Sequence, residues 1–409
     1  MTSEAAGIPS AALASPVRAS AALRDELVEL RRALHREPEV GLRLPRTQRR
    51  VLEALRGLPL EVSTGRRLSS VTAVLRGARP GPAVLLRGDM DALPVDERTG
   101  LDHASRLPGV MHACGHDLHT AMLVGAARLL TERRAELAGD VVFMFQPGEE
   151  ADGGARLMIE EGLLDASGAL PVAAYALHVQ SAQWLGEFSC RAGAALAAAD
   201  TLSVTVRGRG GHGSAPHSAL DPVPAACEMV LALQTMVTRR FDVFDPVVIG
   251  VGRLRAGDAE NVIPDRAEFS ATVRSFSPGA RERVRHESTA LVRGMARAHG
   301  LEADVDYVMR YPVTVNDAGQ AAFVARTAAE VFGADRYREA DRPMTASEDF
   351  SYVAERVPSA FVMLGACPPD ADPATAANNH APQAVFDDAV LGDGATLLAE
   401  LALRRLAAG

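Results

Sequence analysis

At 409 residues the chain is too long for one compact core of ordinary size, and its length predicts two or three domains, with two the starting expectation. It carries 43 basic residues, all of them Arg, against 52 acidic ones, and the formal net charge of -9 argues against a nucleic-acid surface. Hydrophobic residues at 47% and charged residues at 23% leave enough apolar material for a large core and exclude disorder as the default.

Residues Met1 to Ser20 have no basic start followed by an apolar run, so they do not read as a secretory signal; Ala, Ser and Pro there predict a loose tail over residues 1–20. A helix is expected from Ala21 to Glu37, where Leu23, Leu27, Leu30 and Leu34 recur at helical spacing after a Ser20 cap and Pro38 ends the run. Short apolar runs then alternate with helical stretches: Val71–Leu75, Ala83–Leu86, a helix His119–Arg134, Asp140–Phe145, a helix near Gly154–Gly162, and Val172–His178. That rhythm predicts an α/β domain around a mostly parallel sheet.

The pattern changes near residue 190, where the small-residue stretch Ala192 to Ala199 reads as a hinge or linker. Beyond it come a strand Thr201–Val206, a helix Pro222–Arg239, strands Val247–Leu254 and Ala267–Phe276, a helix Ala280–His299 and a strand Glu302–Met309. This is the β-α-β-β-α-β order of a ferredoxin-like layer. After Tyr311 the chain returns to helices and loops: Asp317–Phe332, a loop through Ser347 to Phe350, the run Ala360–Leu364, a polar loop to His380 and a last helix from Asp388. These pieces make no third core. The expectation is a discontinuous domain of residues 21–190 and 311–409, with residues 191–310 inserted into it.

Cys114, Cys190, Cys227 and Cys367 are scattered without a short repeating spacing, which fits a reducing compartment better than a disulfide framework, so the cytoplasm is the expected location. No apolar run reaches membrane-spanning length, and neither membrane nor nucleic acid is expected as a partner.

The segment Met111-His112-Ala113-Cys114-Gly115-His116-Asp117-Leu118-His119 packs thiol, imidazole and carboxylate donors ahead of a helix. Thiolate and imidazole suit zinc and related transition metals, and Gly115 lets Cys114 and His116 converge in a tight turn. The bland alternative is a Cys packed as a small hydrophobe beside helix-capping polar residues. Upstream, Gly88-Asp89-Met90-Asp91-Ala92-Leu93-Pro94 puts two carboxylates at a strand's C-terminal end, where ligand sites of open α/β sheets lie; Asp91 can orient a ligand or be one. Phe143-Met144-Phe145-Gln146-Pro147-Gly148-Glu149-Glu150 runs from a strand into adjacent carboxylates, one able to hold a metal while the other serves as general base. His178 ends a strand-like run and His380 sits in the loop Asn378-Asn379-His380-Ala381-Pro382. Alone, the glutamate pair reads more readily as a solvated loop and each of the two histidines as structural, and the Asp pair reads as well as a turn before Pro94. Together Cys114, His116, Glu150, His178 and His380 are donors enough for a bridged two-metal site open to water.

With these residues in view the chain resembles the aminoacylase and carboxypeptidase metallopeptidase family, in the branch of bacterial N-acyl-amino-acid amidohydrolases, hippurate hydrolases and plant auxin–amino acid conjugate hydrolases. The resemblance runs from about Leu23 to the last helix. Its motifs stand in order: Asp89-Met-Asp91-Ala-Leu-Pro94, Met111-His-Ala-Cys-Gly-His116, Gln146-Pro-Gly-Glu-Glu150, Gly210-Gly-His-Gly213 with Pro216-His217, Asn261-Val-Ile-Pro264 and Ser347-Glu-Asp-Phe350. Many relatives carry a His two residues before the motif Asp; this chain has Asp89 there, which favours the Cys-containing amidohydrolase branch.

The resemblance implies Cys114, His116, Glu150, His178 and His380 as ligands of two divalent metal ions per subunit, zinc or manganese before cobalt or nickel. It implies Glu149 as general base, Asp91 as its or a ligand's orienting partner, His212 as an oxyanion stabiliser in cis or in trans, and Asn261 and Arg274 as holders of the substrate's carboxylate. The inserted unit corresponds to the family's lid and dimerisation domain, so a homodimer or larger homo-oligomer through it is implied. The reaction implied is hydrolysis of the amide bond of an N-acyl amino acid, hippurate-like or N-acetyl-amino-acid-like, or of a short peptide, by a metal-activated water. Two alternatives are weighed against it: a catalytically silent binding or regulatory protein on the same scaffold, and a hydrolase with Cys114 as nucleophile.

Overall fold

The computed structural model describes residues 18–150 and 153–408. Its contacts divide the chain into two compact units, one running to Ala195 and resuming over Val315–Arg342 and from Asp349 on, the other formed by Leu196–Thr314 with Pro343–Glu348.

The first unit is built on an eight-stranded sheet. Its middle is four parallel strands in the order Ala138–Gln146, Arg79–Asp89, Ala173–Gln180 and Ser359–Gly365. Antiparallel Val71–Leu75 and Leu60–Thr64 extend one side, and Phe188–Cys190 and Tyr337–Glu339 complete the other. Residues 83–89 are buried without interruption, the pattern of a strand covered on both faces. The helices His116–Glu132 and Leu391–Ala407 pack together and bury nearly every side chain they carry, which is why their apolar residues run all round rather than in one stripe. Ala21–Arg36 is a one-sided helix that buries Leu23, Leu27, Arg31, Leu34 and His35; the Ser20 hydroxyl caps it by accepting from the Leu23 amide at 3.1 Å. Of the expected loose tail, residues 1–17 lie outside the described residues, while Ala19 is buried and Arg18 donates to the Val331 carbonyl at 3.0 Å.

The second unit is a four-stranded antiparallel sheet in the order Val247–Ala256, Arg266–Ser275, Ala198–Arg207 and Glu302–Tyr311, with the helices Pro222–Arg240 and Pro278–Ala298 between its strands in sequence. The chain order β-α-β-β-α-β and this strand order make a ferredoxin-like layer. Ala198–Arg207 alternates buried and partly buried positions, so one face feeds a core with Met229, Leu233, Val284 and Val292 from the helices. Both helices open the same way: an acceptor side chain, Asp221 or Ser277, caps the first turn and Pro takes the first helical position.

The stretch expected as a hinge or linker does hold the division between the two units, at Ala195 and Leu196, but it is strand rather than loose chain: Gly193–Leu196 and Ala198–Arg207 leave only Ala197 between them. The Ala197 amide is itself held by the Met344 and Ala346 carbonyls at 3.1 and 2.9 Å, which is how Pro343–Glu348 comes to belong to the second unit. Small side chains here serve close backbone packing, with Ala195 to Ala198 all buried, and composition alone cannot separate that from a linker. Among the described residues no helix is long and apolar enough to cross a membrane.

Candidate metal centre

Every element that carries a candidate donor in the first unit delivers it at the C-terminal end of a parallel strand or in a turn beside one. Arg79–Asp89 ends on Asp89 with Asp91 just beyond, Ala138–Gln146 leads through Pro147 and Gly148 to Glu149 and Glu150, and Ala173–Gln180 carries His178. The helix His116–Glu132 starts abruptly because Gly115 adopts φ 86°; a Cβ there would also lie 2.3 Å from the Val179 side chain. Cys114 and His116 therefore sit on either side of a turn that a side chain at residue 115 would forbid. His380 has φ 73°, the one non-glycine residue with positive φ among the described residues, and its amide donates to the Ala113 carbonyl at 2.8 Å.

Among the donor groups whose ligand atoms lie within 4.8 Å of one another, two contain Cys114: Cys114, His116 and His178, and Cys114, Glu150 and His380. The Cys114 thiol is common to both. Its Sγ lies 3.4 Å from His178 Nε2 and 3.2 Å from His380 Nε2, and Glu150 Oε1 lies 3.4 Å from His380 Nε2 and 3.8 Å from His116 Nε2. His178 donates from Nδ1 to the Val179 carbonyl at 2.8 Å, which leaves the Nε2 lone pair facing the thiol.

The chemistry of this set fits a cation. Both ring nitrogens of His116 and Glu150 Oε1 are buried without a hydrogen-bond partner among the described residues, a cost that a ligated cation removes. Burial works against a charge on His116, yet the Asp89 carboxylate and the Cys114 sulfur outweigh it and hold its pKa well above the usual imidazole value, so the surroundings attract positive charge. Burial, reinforced by His119, pushes His178 well below that value. The Glu150 carboxyl, despite its burial, is drawn below the usual carboxylate range by His380 and His116. Burial and the Glu150 charge push the Cys114 thiol up to about 12, which makes it a poor free nucleophile and tells against the cysteine-nucleophile alternative.

Asp91 and Glu149 complete the arrangement. Asp91 accepts from the Glu149 and Glu150 amides at 3.0 and 3.1 Å and lies 3.5 Å from His116 Nδ1, so one carboxylate holds the glutamate turn beside the imidazole. Glu149 is buried, accepts from the Asp349 amide at 3.4 Å, and shares a cluster with His116 and Glu150.

Three supporting residues had no role assigned from sequence. His119 accepts at Nε2 from the Val179 amide at 2.8 Å and donates from Nδ1 to Asp89 at 2.6 Å, so neither nitrogen is left for a metal. Beneath it Arg87 is fully buried, ion-paired to Asp89 at 2.6 Å and reaching Gln146 and Asp349 at 2.9 and 3.3 Å. Asp349 in turn accepts from Gln146 Nε2 and the Ala155 amide. The spacing of His119 three residues after His116 on a helix, and the Ser347–Phe350 motif, were the available signals for two of them.

His212, Asn261 and Arg274 belong to the second unit. His212 is exposed on a two-residue strand paired with Val262, and its Nδ1 accepts from the Ser214 amide at 3.1 Å, so Nε2 carries the proton. The Asn261 carbonyl accepts from the Gly213 amide at 2.8 Å. Arg274 lies on Arg266–Ser275 with Nη1 buried and without a partner among the described residues, and burial lowers its pKa despite Asp200.

Residues 85–404 match peptidase family M20/M25/M40. The chain is 36% identical to an IAA-amino acid hydrolase of Arabidopsis thaliana over 93% of its own length and 87% of that protein, and 35% identical to an N-acetylcysteine deacetylase of Bacillus subtilis over 85% and 90%. Its fold superposes on the crystal structure of a dinuclear metal-binding peptidase of the M20 family from Bacillus subtilis with a TM-score of 0.80 and 31% identity, covering 94% of this chain and 98% of that one. Sequence, fold and the cation-seeking donor set agree: this chain belongs to peptidase family M20/M25/M40 and is a metal-dependent amide hydrolase.

Proposed function

We propose that the chain hydrolyses the amide bond of small N-acyl amino acids, using Glu149 as general base beside two divalent cations held by Cys114, His116, Glu150, His178 and His380. The observation that carries the reading is the pair of donor groups sharing one thiol, with a carboxylate that belongs to neither of them, Glu149, buried alongside. Names among the relatives, an IAA-amino acid hydrolase and an N-acetylcysteine deacetylase, support an N-acyl amino acid over a long peptide.

Cations held by these residues, with zinc or manganese the proposed metals, would supply the charge that polarises an amide carbonyl and acidifies a water. Glu149 takes the water's proton on its carboxylate and returns it to the departing amine nitrogen. Asp91 holds the Glu149–Glu150 turn through two amides so that the base and the ligand keep their separate directions. In the second unit, the Nε2 proton of His212 is the donor proposed for the developing oxyanion, and Asn261 and Arg274 the groups for the substrate's carboxylate; the unpartnered Arg274 Nη1 supports the latter.

The test is a turnover screen of N-acetyl, N-benzoyl, indoleacetyl and aminobenzoyl amino acids, with Zn, Mn, Co and Ni supplied singly to chelated protein. Turnover of at least one class, abolished by chelation and restored by metal, is expected; turnover that survives exhaustive chelation would overturn the reading. Cys114→Ala is expected to lose bound metal rather than only rate, because both donor groups pass through this sulfur. Elemental analysis decides it, and full occupancy in a folded Cys114→Ala protein removes Cys114 from the ligand set.

A further inference from the structure

We infer that Asn379 is a positioning residue for the cation site: its carboxamide locks together the three chain segments that bring Cys114, His178 and His380 to one point. The inference rests on the donor set proposed above.

The carboxamide is used at both ends. Oδ1 accepts from the Ser181 amide at 3.0 Å, while Nδ2 donates to the Val179 carbonyl at 3.0 Å and to the Cys114 carbonyl at 3.3 Å. Only this orientation works, since a flipped group would set its oxygen against two carbonyl oxygens and its NH2 against an N–H. One side chain thus joins the Cys114 turn, the strand end just after His178 and the loop that supplies His380. No helix or sheet ladder ties Cys114 to His380; apart from the Asn379 side chain, the backbone link between those stretches is the His380 amide on the Ala113 carbonyl.

That neighbour is the residue with the left-handed backbone. His380 at φ 73° pays a conformational cost that persists only if its surroundings over-determine it, and Asn379 immediately before it supplies the anchoring. The result is the 3.2 Å approach of His380 Nε2 to Cys114 Sγ, with His178 Nε2 at 3.4 Å from the same sulfur. Nothing in this arrangement puts Asn379 on substrate or cation; it acts through the donors it aligns.

Asn379→Asp tests the point with almost no change of shape. It removes the N–H donations, a long one of 4.0 Å to Cys114 Sγ among them, and sets a carboxylate oxygen against the Val179 and Cys114 carbonyls. Metal-free wild-type, Asn379→Asp, Asn379→Ala and Cys114→Ser chains would be titrated with cobalt(II), reading both bound stoichiometry and the thiolate-to-cobalt charge-transfer absorption. Wild type is expected to take up two cations with a clear thiolate band. Asn379→Asp is expected to bind at least one of them about 10–100-fold more weakly, the usual loss when a group behind a ligand is removed, with a weakened or shifted band. Asn379→Ala should show the same direction, and it keeps the test open if the Asp variant does not fold. Wild-type affinity and an unchanged band in folded Asn379→Asp or Asn379→Ala would overturn the inference while leaving the donor set standing. Absence of a thiolate band in wild type, with Cys114→Ser binding two cations as tightly, would instead sink the donor set and this inference with it.

Discussion

Glu149→Gln is expected to keep its bound metal and lose kcat by about 10²–10⁴-fold, the usual contribution of a general base, whereas Glu150→Gln should lose metal and regain part of its activity in excess metal. The two glutamates are adjacent in sequence and chemically alike, so only their surroundings can separate them. Glu150 lies with Oε1 near both His116 and His380, and these imidazoles draw its carboxyl below the usual range in spite of its burial; it is poised as an anion among cation-seeking donors. Glu149 is buried with its carboxylate against the Asp349 amide and does not belong to the two donor groups that share Cys114. Glutamine preserves shape and one acceptor oxygen at either position but cannot take a proton at neutral pH. At Glu149 that removes the proton acceptor; at Glu150 it replaces an anionic ligand by a weaker neutral one. Metal content and kcat measured on both variants decide it: a Glu149→Gln protein without metal, beside a Glu150→Gln protein that retains it, reverses the assignment.

The legible part of this molecule was the part written in local chemistry. Leu23, Leu27, Leu30 and Leu34 gave a helix because burial on one face needs that spacing, and Ala21–Arg36 follows it. The runs Val71–Leu75 and Asp140–Phe145 read as strands because strands covered on both faces are continuously apolar. What escaped was structure whose reason lies elsewhere in the chain. Leu60–Thr64 is an exposed edge strand with one neighbour, so it carries no apolar run; Pro45–Ala54 buries only Thr47 and Val51, too little for a visible stripe. Ala192–Ala199 holds the division between the units, yet its strands are not legible, because small residues suit a linker and a closely packed strand equally. The same division holds at the metal centre. Donor type and clustering marked Cys114, His116, Glu150, His178 and His380 as candidates, while Asp89, His119, Arg87, Asp349 and Asn379 act by holding other groups in place, and such roles are set by contacts between residues up to 265 positions apart.

Asp200→Ala is expected to cost the second unit about 3–5 kcal/mol of stability, the loss that follows when one partner of a buried ion pair is removed and the other is left behind. Asp200 lies on Ala198–Arg207 and is 3% exposed; Arg281, on Pro278–Ala298, is 7% exposed. Arg281 grips the carboxylate with Nε at 3.0 Å and Nη2 at 2.7 Å, and the Arg310 amide and the Tyr307 hydroxyl add donations at 3.0 and 3.3 Å. One carboxylate therefore ties a central strand to a helix and to the neighbouring edge strand Glu302–Tyr311. Removing it strands a buried guanidinium and takes one acceptor from the Arg310 amide and the Tyr307 hydroxyl. The attraction between the two charges is the smaller part of the effect; the desolvated cation left behind is the larger. That reasoning makes a further demand: Asp200→Leu combined with Arg281→Met should recover much of what either single change loses, since no charge is then left buried. Urea midpoints of the single and double variants, with metal content followed in parallel because all five proposed ligands belong to the first unit, measure the coupling. Additive losses in the double variant would show that the two groups do not act as a pair.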